Sequence, residues 1–158
     1  MTSGPDKKKC VMTSRVLMGI MTALFALGLW GPMARAEEGR KDGLHRVALH
    51  LNSDDERVQK GALNNIKNLF EEFGPGKVKI ELIANGPGLK LFVKKETKFA
   101  DEIAQLKAKH GVEYTACSNT MKGMKVTRDD LLDQVDRAVP AIVRLIELQE
   151  QGWAYIKP

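Results

Sequence analysis

Three short apolar runs, each followed by a helical or turn pattern, constrain this chain more than any other feature. Residues 46–51 (RVALHL), 78–84 (VKIELIA) and 112–116 (VEYTA) are rich in branched and aromatic residues and read as strands. After the first, Val58, Ala62, Ile66, Leu69, Phe70 and Phe73 recur at the spacing of one helix face. Ser53 with Glu56 three residues on is a capping box that predicts the start of this helix, and Gly74-Pro75-Gly76 ends it. A turn of helix is expected near 89–93. A longer helix over 97–110 places Phe99, Ile103, Leu106 and His110 on one side, with Gly111 as its stop.

The pattern continues to the C-terminus. Asn119-Thr120 is placed to cap a brief helix ending at Gly123, and Thr127 with Asp130 forms another capping box. That box predicts a helix through Leu131, Leu132 and Val135. Residues 137–139 read as a short fourth strand, and Pro140 as the first residue of a helix running to Gln151, closed by Gly152. The tail Trp153-Ala154-Tyr155-Ile156 reads as a fifth strand or an apolar arm. Strands separated by helices imply an α/β fold whose mostly parallel sheet, of about five strands, is covered on both faces.

That geometry says where chemistry belongs. In open parallel sheets, ligands and reactive groups gather beyond the carboxyl ends of the strands. Here those ends carry His50 and Asn52, then Asn85, Gly86 and Gly88, then Cys117, Ser118, Asn119 and Thr120. Cys117 ends a predicted strand at the start of a short helix, where backbone N–H groups favour the nucleophilic thiolate. Lys122 and Lys125 would add to that effect if they fold back. The alternative is an inert thiol packed as a small apolar residue. His50 is a candidate base for the thiol, or else a strand histidine satisfied by a local partner. Asn85-Gly86-Pro87-Gly88 has the look of an anion-cradling turn but lacks the Lys-Ser/Thr ending of a nucleotide loop. Three scattered histidines and one cysteine show no metal-ligand spacing, so no metal site is expected.

Residues 1–36 read as an export signal, leaving 37–158 as one α/β domain. Lys7, Lys8, Lys9 and Arg15 precede a 15-residue apolar run, Val16 to Trp30, and Ala34-Arg35-Ala36 supplies a cleavage pattern. The run is shorter than the roughly 20 residues that span a bilayer. Cleavage after Ala36 predicts a periplasmic protein with no membrane attachment. The signal also explains the basic charge. Five of the 25 Lys and Arg lie in 1–36 against one of the 20 acids, so 37–158 carries 20 basic and 19 acidic side chains. A balance of +1 gives no support to nucleic-acid binding. With Cys10 removed, Cys117 is a single thiol with no partner for an intramolecular disulfide.

Four segments carry a resemblance to a known family. They are His50-Leu51-Asn52 leading into a helix with Asn64-Asn65, Ala84-Asn85-Gly86-Pro87-Gly88-Leu89, Ala116-Cys117-Ser118-Asn119-Thr120-Met121, and Gly152-Trp153-Ala154-Tyr155-Ile156-Lys157-Pro158. In their order and spacing, over about 45–158, the chain resembles the DsrE/DsrF-like family. The resemblance implies a three-layer α/β/α sandwich that assembles into homo-oligomers, trimers or hexamers. It also implies sulfur relay through a cysteine persulfide, on a cysteine placed as Cys117 is relative to Gly123. The expectation is an exported sulfur carrier or sulfurtransferase-like protein that works on Cys117 with no cofactor or metal. His50, Asn52, Asn85, Gly86, Gly88, Ser118, Asn119 and Thr120 would line the pocket, and a sulfur donor or acceptor protein would be the partner. Two rivals are a small-molecule or anion-binding module and a non-catalytic oligomeric accessory subunit.

Overall fold

A computed structural model describes residues 43–158, so the signal-sequence reading of 1–36 lies outside the described residues. Five strands form one sheet: β1 His45–Leu51, β2 Val78–Ala84, β3 Glu113–Cys117, β4 Arg137–Val139 and β5 Ala154–Ile156. Their order is β4-β3-β2-β1-β5, and every neighbouring pair is parallel. The chain therefore steps one way from β1 to β4, then returns past the whole sheet to place β5 beside β1. The tail is a fifth strand. Its anchor is Trp153, which is buried.

Four α-helices and a 3₁₀ helix cover the sheet. They are α1 Glu56–Phe73, the 3₁₀ helix Gly86–Phe92, α2 Ala100–His110, α3 Ser118–Met124 and α4 Ala141–Glu150. Alternation along each strand sends one set of side chains to each face. Val47, Leu49, Leu51, Ile80, Leu82, Tyr114 and Ala116 join the buried residues of α1, α2 and the 3₁₀ helix in the larger core. Ala48, Ile83 and Cys117 face the other way, under Ala141, Leu145 and Leu148 of α4. The result is a three-layer α/β/α sandwich.

Several local expectations are corrected. Helix α1 begins where the sequence indicates, but its cap is Asp55, whose carboxylate accepts from the Arg57 N–H at 2.8 Å. Ser53 instead accepts from the Asp55 N–H. Phe73 lies on the predicted stripe yet is exposed, with its ring stacked on His45. Helix α2 starts at Ala100, later than expected, because Thr97 Oγ1 ties down the Phe99 N–H.

The predicted helix after Thr127 does not form. The Thr127–Asp130 hydrogen bonds are made, but they close a turn. Leu131 then bridges Val93 in antiparallel fashion, and the Leu132 N–H donates to the Phe92 carbonyl at 2.8 Å. Leu131, Leu132 and Val135 are buried, in a bridge followed by a turn that the Val135 N–H closes on the Leu132 carbonyl. A helix this short is marginal by itself, so backbone partners offered by the end of the 3₁₀ helix decide the conformation. Pro140 stands just before α4, not inside it, with its carbonyl accepting from the Arg144 N–H.

Candidate functional site

The carboxyl ends of β1, β2 and β3 are joined by hydrogen bonds that begin in the turn after β2. The Asn85 N–H donates to the Leu51 carbonyl and the Gly88 N–H to the Asn85 carbonyl, each at 3.0 Å. Gly88 lies so close to β1 that a Cβ there would meet the Leu51 carbonyl oxygen at 2.5 Å. Gly86 has φ of 51°, the left-handed region that glycine enters without strain. This conformation holds its N–H 2.9 Å from Thr120 Oγ1, across on α3. The Asn-Gly-Pro-Gly segment is thus a bracket between β1 and α3.

Cys117 is the last residue of β3 and is buried. Burial alone would raise its pKa, yet the thiol sits below its ordinary value because nearby polar groups outweigh burial. The polar groups that lower it are the Thr120 side chain and the backbone of Ala141, Thr120 and Asn119, although Cys117 makes no side-chain cap bond to α3. They come from two elements, α3 and the start of α4. Such a convergence favours the thiolate, the form that attacks sulfur or carbon electrophiles.

His50 is not paired with this thiol. Its Nδ1 lies 2.8 Å from the Tyr155 hydroxyl on β5 and its Nε2 lies 2.9 Å from Asn85 Oδ1. Because Asn85 Oδ1 only accepts, Nε2 carries a proton, and a neutral ring then accepts the Tyr155 proton at Nδ1. The imidazole therefore ties the edge strand to the turn after β2. Asn52 is exposed, and among the described residues its side chain makes no hydrogen bond, although its Cα packs against Gly88. Ser118 is half-buried and Asn119 exposed, the latter acting on the thiol through its backbone. Lys122 and Lys125 are exposed. Of the expected residues, His50, Asn85, Gly86 and Thr120 are linked by hydrogen bonds and the chain, with Tyr155 added at the His50 end and Cys117 three residues before Thr120.

The DsrE/DsrF-like family model matches residues 46–158, which includes every residue of this path. The chain belongs to the DsrE/DsrF-like family. The family is generally linked to sulfur relay. A solved protein of unknown function from Methanobacterium thermoautotrophicum is similar at 31% identity, over 72% of this chain and 99% of its own, with a TM-score of 0.67. The ychN protein from E. coli shares the fold at 14% identity and TM-score 0.54, over 72% of this chain and 96% of that one. A conserved protein of unknown function from Bacteroides thetaiotaomicron does so at 18% and 0.52, over 72% and 94%. No curated protein matches the chain.

This DsrE/DsrF-like domain also holds polar groups that sequence reasoning missed. Glu81, in the middle of β2, is fully buried on the α4 face. Arg144 of α4 grips it with Nε at 2.9 Å and Nη2 at 2.7 Å, Thr115 donates to it at 2.6 Å, and Arg137 Nη1 stands 3.0 Å away. Burial pushes the Glu81 carboxyl up, but these partners outweigh it and hold the carboxyl below its ordinary value. The network fastens α4, and Ala141 of α4 packs with Cys117. A lone carboxylate inside the apolar run VKIELIA was the available signal. Tyr155 left no comparable signal, because its role depends on the β1–β5 register, which sets Ala48 opposite Tyr155. Among the described residues, no group of three or more His, Cys, Asp or Glu is placed to hold a metal, and no helix is long and apolar enough to cross a membrane.

Proposed function

We propose that the chain is an exported sulfur carrier that holds sulfane sulfur as a persulfide on Cys117. The observation that carries this reading is a buried thiol, held below its ordinary pKa, at the carboxyl edge of the sheet where the Gly86 N–H is bonded to Thr120. Family membership supports it, since sulfur relay is the chemistry generally linked to this family. In the loading step the Cys117 thiolate attacks the outer sulfur of a donor such as thiosulfate. A sulfur–sulfur bond forms at Sγ, the sulfur–sulfur bond of thiosulfate breaks, and sulfite leaves with the electron pair. No net oxidant is consumed. The persulfide then stands at the same sheet edge, and a partner protein would take the outer sulfur. The reading includes release into the periplasm after cleavage at Ala36 and assembly into a trimer or hexamer.

The test is the intact mass of the 37–158 protein after incubation with thiosulfate or polysulfide, beside Cys117→Ser. A reducible gain of one sulfur atom in the parent alone is the expected result. No gain, with a thiol also slow to alkylate in the folded state, would overturn sulfur transfer in favour of a ligand-binding module or an accessory subunit.

A further inference from the structure

The sequence holds a single Asn-Gly pair, Asn85-Gly86, and it lies at the centre of the bracket after β2. Asparagine before glycine is the pair most prone to lose its side-chain amide, because no Cβ screens the glycine nitrogen. In that reaction the Gly86 nitrogen gives its proton to a base in the solvent and bonds to Asn85 Cγ. The carboxamide nitrogen takes up a proton and leaves as ammonia. Water then opens the five-membered imide at either carbonyl. One opening gives an aspartate at 85, the other an isoaspartate whose main chain runs through the side chain. Nothing is oxidised or reduced. Both residues are half-buried and so within reach of water.

Hydrogen bonds hold the two reacting atoms apart. The ring closes only when the Gly86 nitrogen swings about ψ of Asn85 until it eclipses Cβ. The folded ψ is 171°, extended backbone that keeps the nitrogen well off that position. Turning it carries the Asn85 carbonyl and the Gly86 N–H round together. The carbonyl would leave the Gly88 N–H, its partner at 3.0 Å, and the Gly86 N–H would leave Thr120 Oγ1, its partner at 2.9 Å. The side chain is anchored separately, with Oδ1 2.9 Å from His50 Nε2. One reactant is thus held by β1 and the other by α3. The turn has no slack behind them, since the Asn85 N–H is bonded to the Leu51 carbonyl and Gly88 packs on that carbonyl too closely for any Cβ.

We infer that Asn85 is a guarded deamidation site: the hydrogen bonds that assemble the carboxyl edge also hold off the reaction that would dismantle it. An isoaspartate lengthens the main chain by one carbon between β2 and the 3₁₀ helix, where the close fit of Gly88 leaves no room for it. An aspartate sets a negative charge beside His50 in place of a neutral amide. The guard is local, so it depends on the Thr120 hydroxyl and not on the stability of the whole domain. It operates whatever Cys117 carries.

The experiment keeps the purified parent, Thr120→Val, Thr120→Ser and Ile66→Ala at neutral pH. The peptide containing residues 85 and 86 is followed by mass and by isoaspartate content, and the same peptide is followed in parent unfolded by guanidinium chloride. The folded parent should convert roughly thirtyfold more slowly than the unfolded chain, the effect of breaking two ordinary hydrogen bonds to turn ψ. Thr120→Val removes one of them and should convert roughly fivefold faster than the parent, while Thr120→Ser keeps the parent rate. Ile66→Ala weakens the far core and should leave the rate at Asn85 unchanged. A folded parent that converts as fast as the unfolded chain would overturn the guard. So would Thr120→Val at the parent rate, or Thr120→Ser at the Val rate. Ile66→Ala converting as fast as Thr120→Val would overturn it too, because global unfolding would then be the route. Should Thr120→Val not fold, Thr120→Ala removes the same hydroxyl and decides the matter.

Discussion

The face of the sheet under α1 and α2 and the face under α4 use the same strands to opposite ends. The first is a continuous apolar core in which Leu63, Ile66, Leu82, Leu89, Phe92 and Ile103 are all fully buried. The second has a smaller apolar cluster, and beside it Glu81, Thr115, Arg137 and Arg144 form a buried polar network. Its helix also leaves Ile142, Val143 and Ile146 exposed on the outer side. The candidate thiol lies on this second face. An apolar core tolerates small shifts in packing, whereas a bidentate Arg–carboxylate pair fixes distance and angle together. Placing α4 by charge keeps Ala141 packed over Cys117. The difference teaches that stability and site geometry are divided between the two faces.

The largest effect should come from Arg144→Ala. It strips Glu81 of its two closest charged contacts while leaving the carboxylate buried, and should cost about 4 kcal/mol. Urea denaturation measures the loss, and the alkylation midpoint of Cys117 should rise with it as α4 loosens. Removing Glu81 and Arg144 together, as Glu81→Leu with Arg144→Leu, should cost less than Arg144→Ala alone, because no unpaired charge remains. An equal or greater cost would show that the network supplies more than mutual neutralisation.

On the other face, Ile66→Ala should cost about 3 kcal/mol through lost burial and a residual cavity. Here the Cys117 alkylation profile should not move. A shifted profile would break the division between the faces.

Acid provides a graded version of the same contrast. The carboxyl of Glu81 titrates below its ordinary value of 4.5 in the folded protein. Its stabilisation is therefore present above the unfolded value and is lost as pH falls through the folded one. Unfolding midpoints followed from about pH 6 to pH 3 should fall more steeply in the parent than in Glu81→Gln. Parallel curves would mean that other carboxylates dominate acid sensitivity.

The smallest effect is expected for Tyr155→Phe. It removes one hydrogen bond at a largely exposed strand, worth about 0.5–1 kcal/mol. Hydrogen exchange at Ala154–Ile156 should report local loosening more clearly than global unfolding does.

Much of this fold was legible because its periodicities are strong. β2 falls on Val78–Ala84 as read, and β1, β3 and β4 differ by a residue at most from their predicted limits. What failed was local hydrogen bonding with tertiary competitors. Thr127 and Asp130 look like a helix start from either side, yet nothing within 127–136 says that Phe92 and Val93 will offer backbone partners. The same holds at the site. The clustering of three strand ends followed from parallel topology, so Asn85, Gly86, Thr120 and Cys117 were found. The packing of Ala141 with Cys117 was not, because an alanine gives no sign of what it packs on. His50 was placed at the right edge with the wrong partner, since its nitrogens are taken by residues 35 and 105 positions away.

The order in which the chain leaves the ribosome bears on Cys117. β1 waits for its last neighbour until residues 154–156 exist, and the thiol waits for its α4 cover until Ala141 and Leu145 do. At synthesis rates of about 5–20 residues per second, that leaves a window of roughly a few seconds. During it β1, β2 and β3 are already made while nothing yet roofs the α4 face. A newborn chain thus carries its thiol uncovered. Exposure to oxidants or alkylating agents in that interval acts on a different chemical species from the finished protein. The age of a molecule, and not only its environment, then governs what happens to its sulfur.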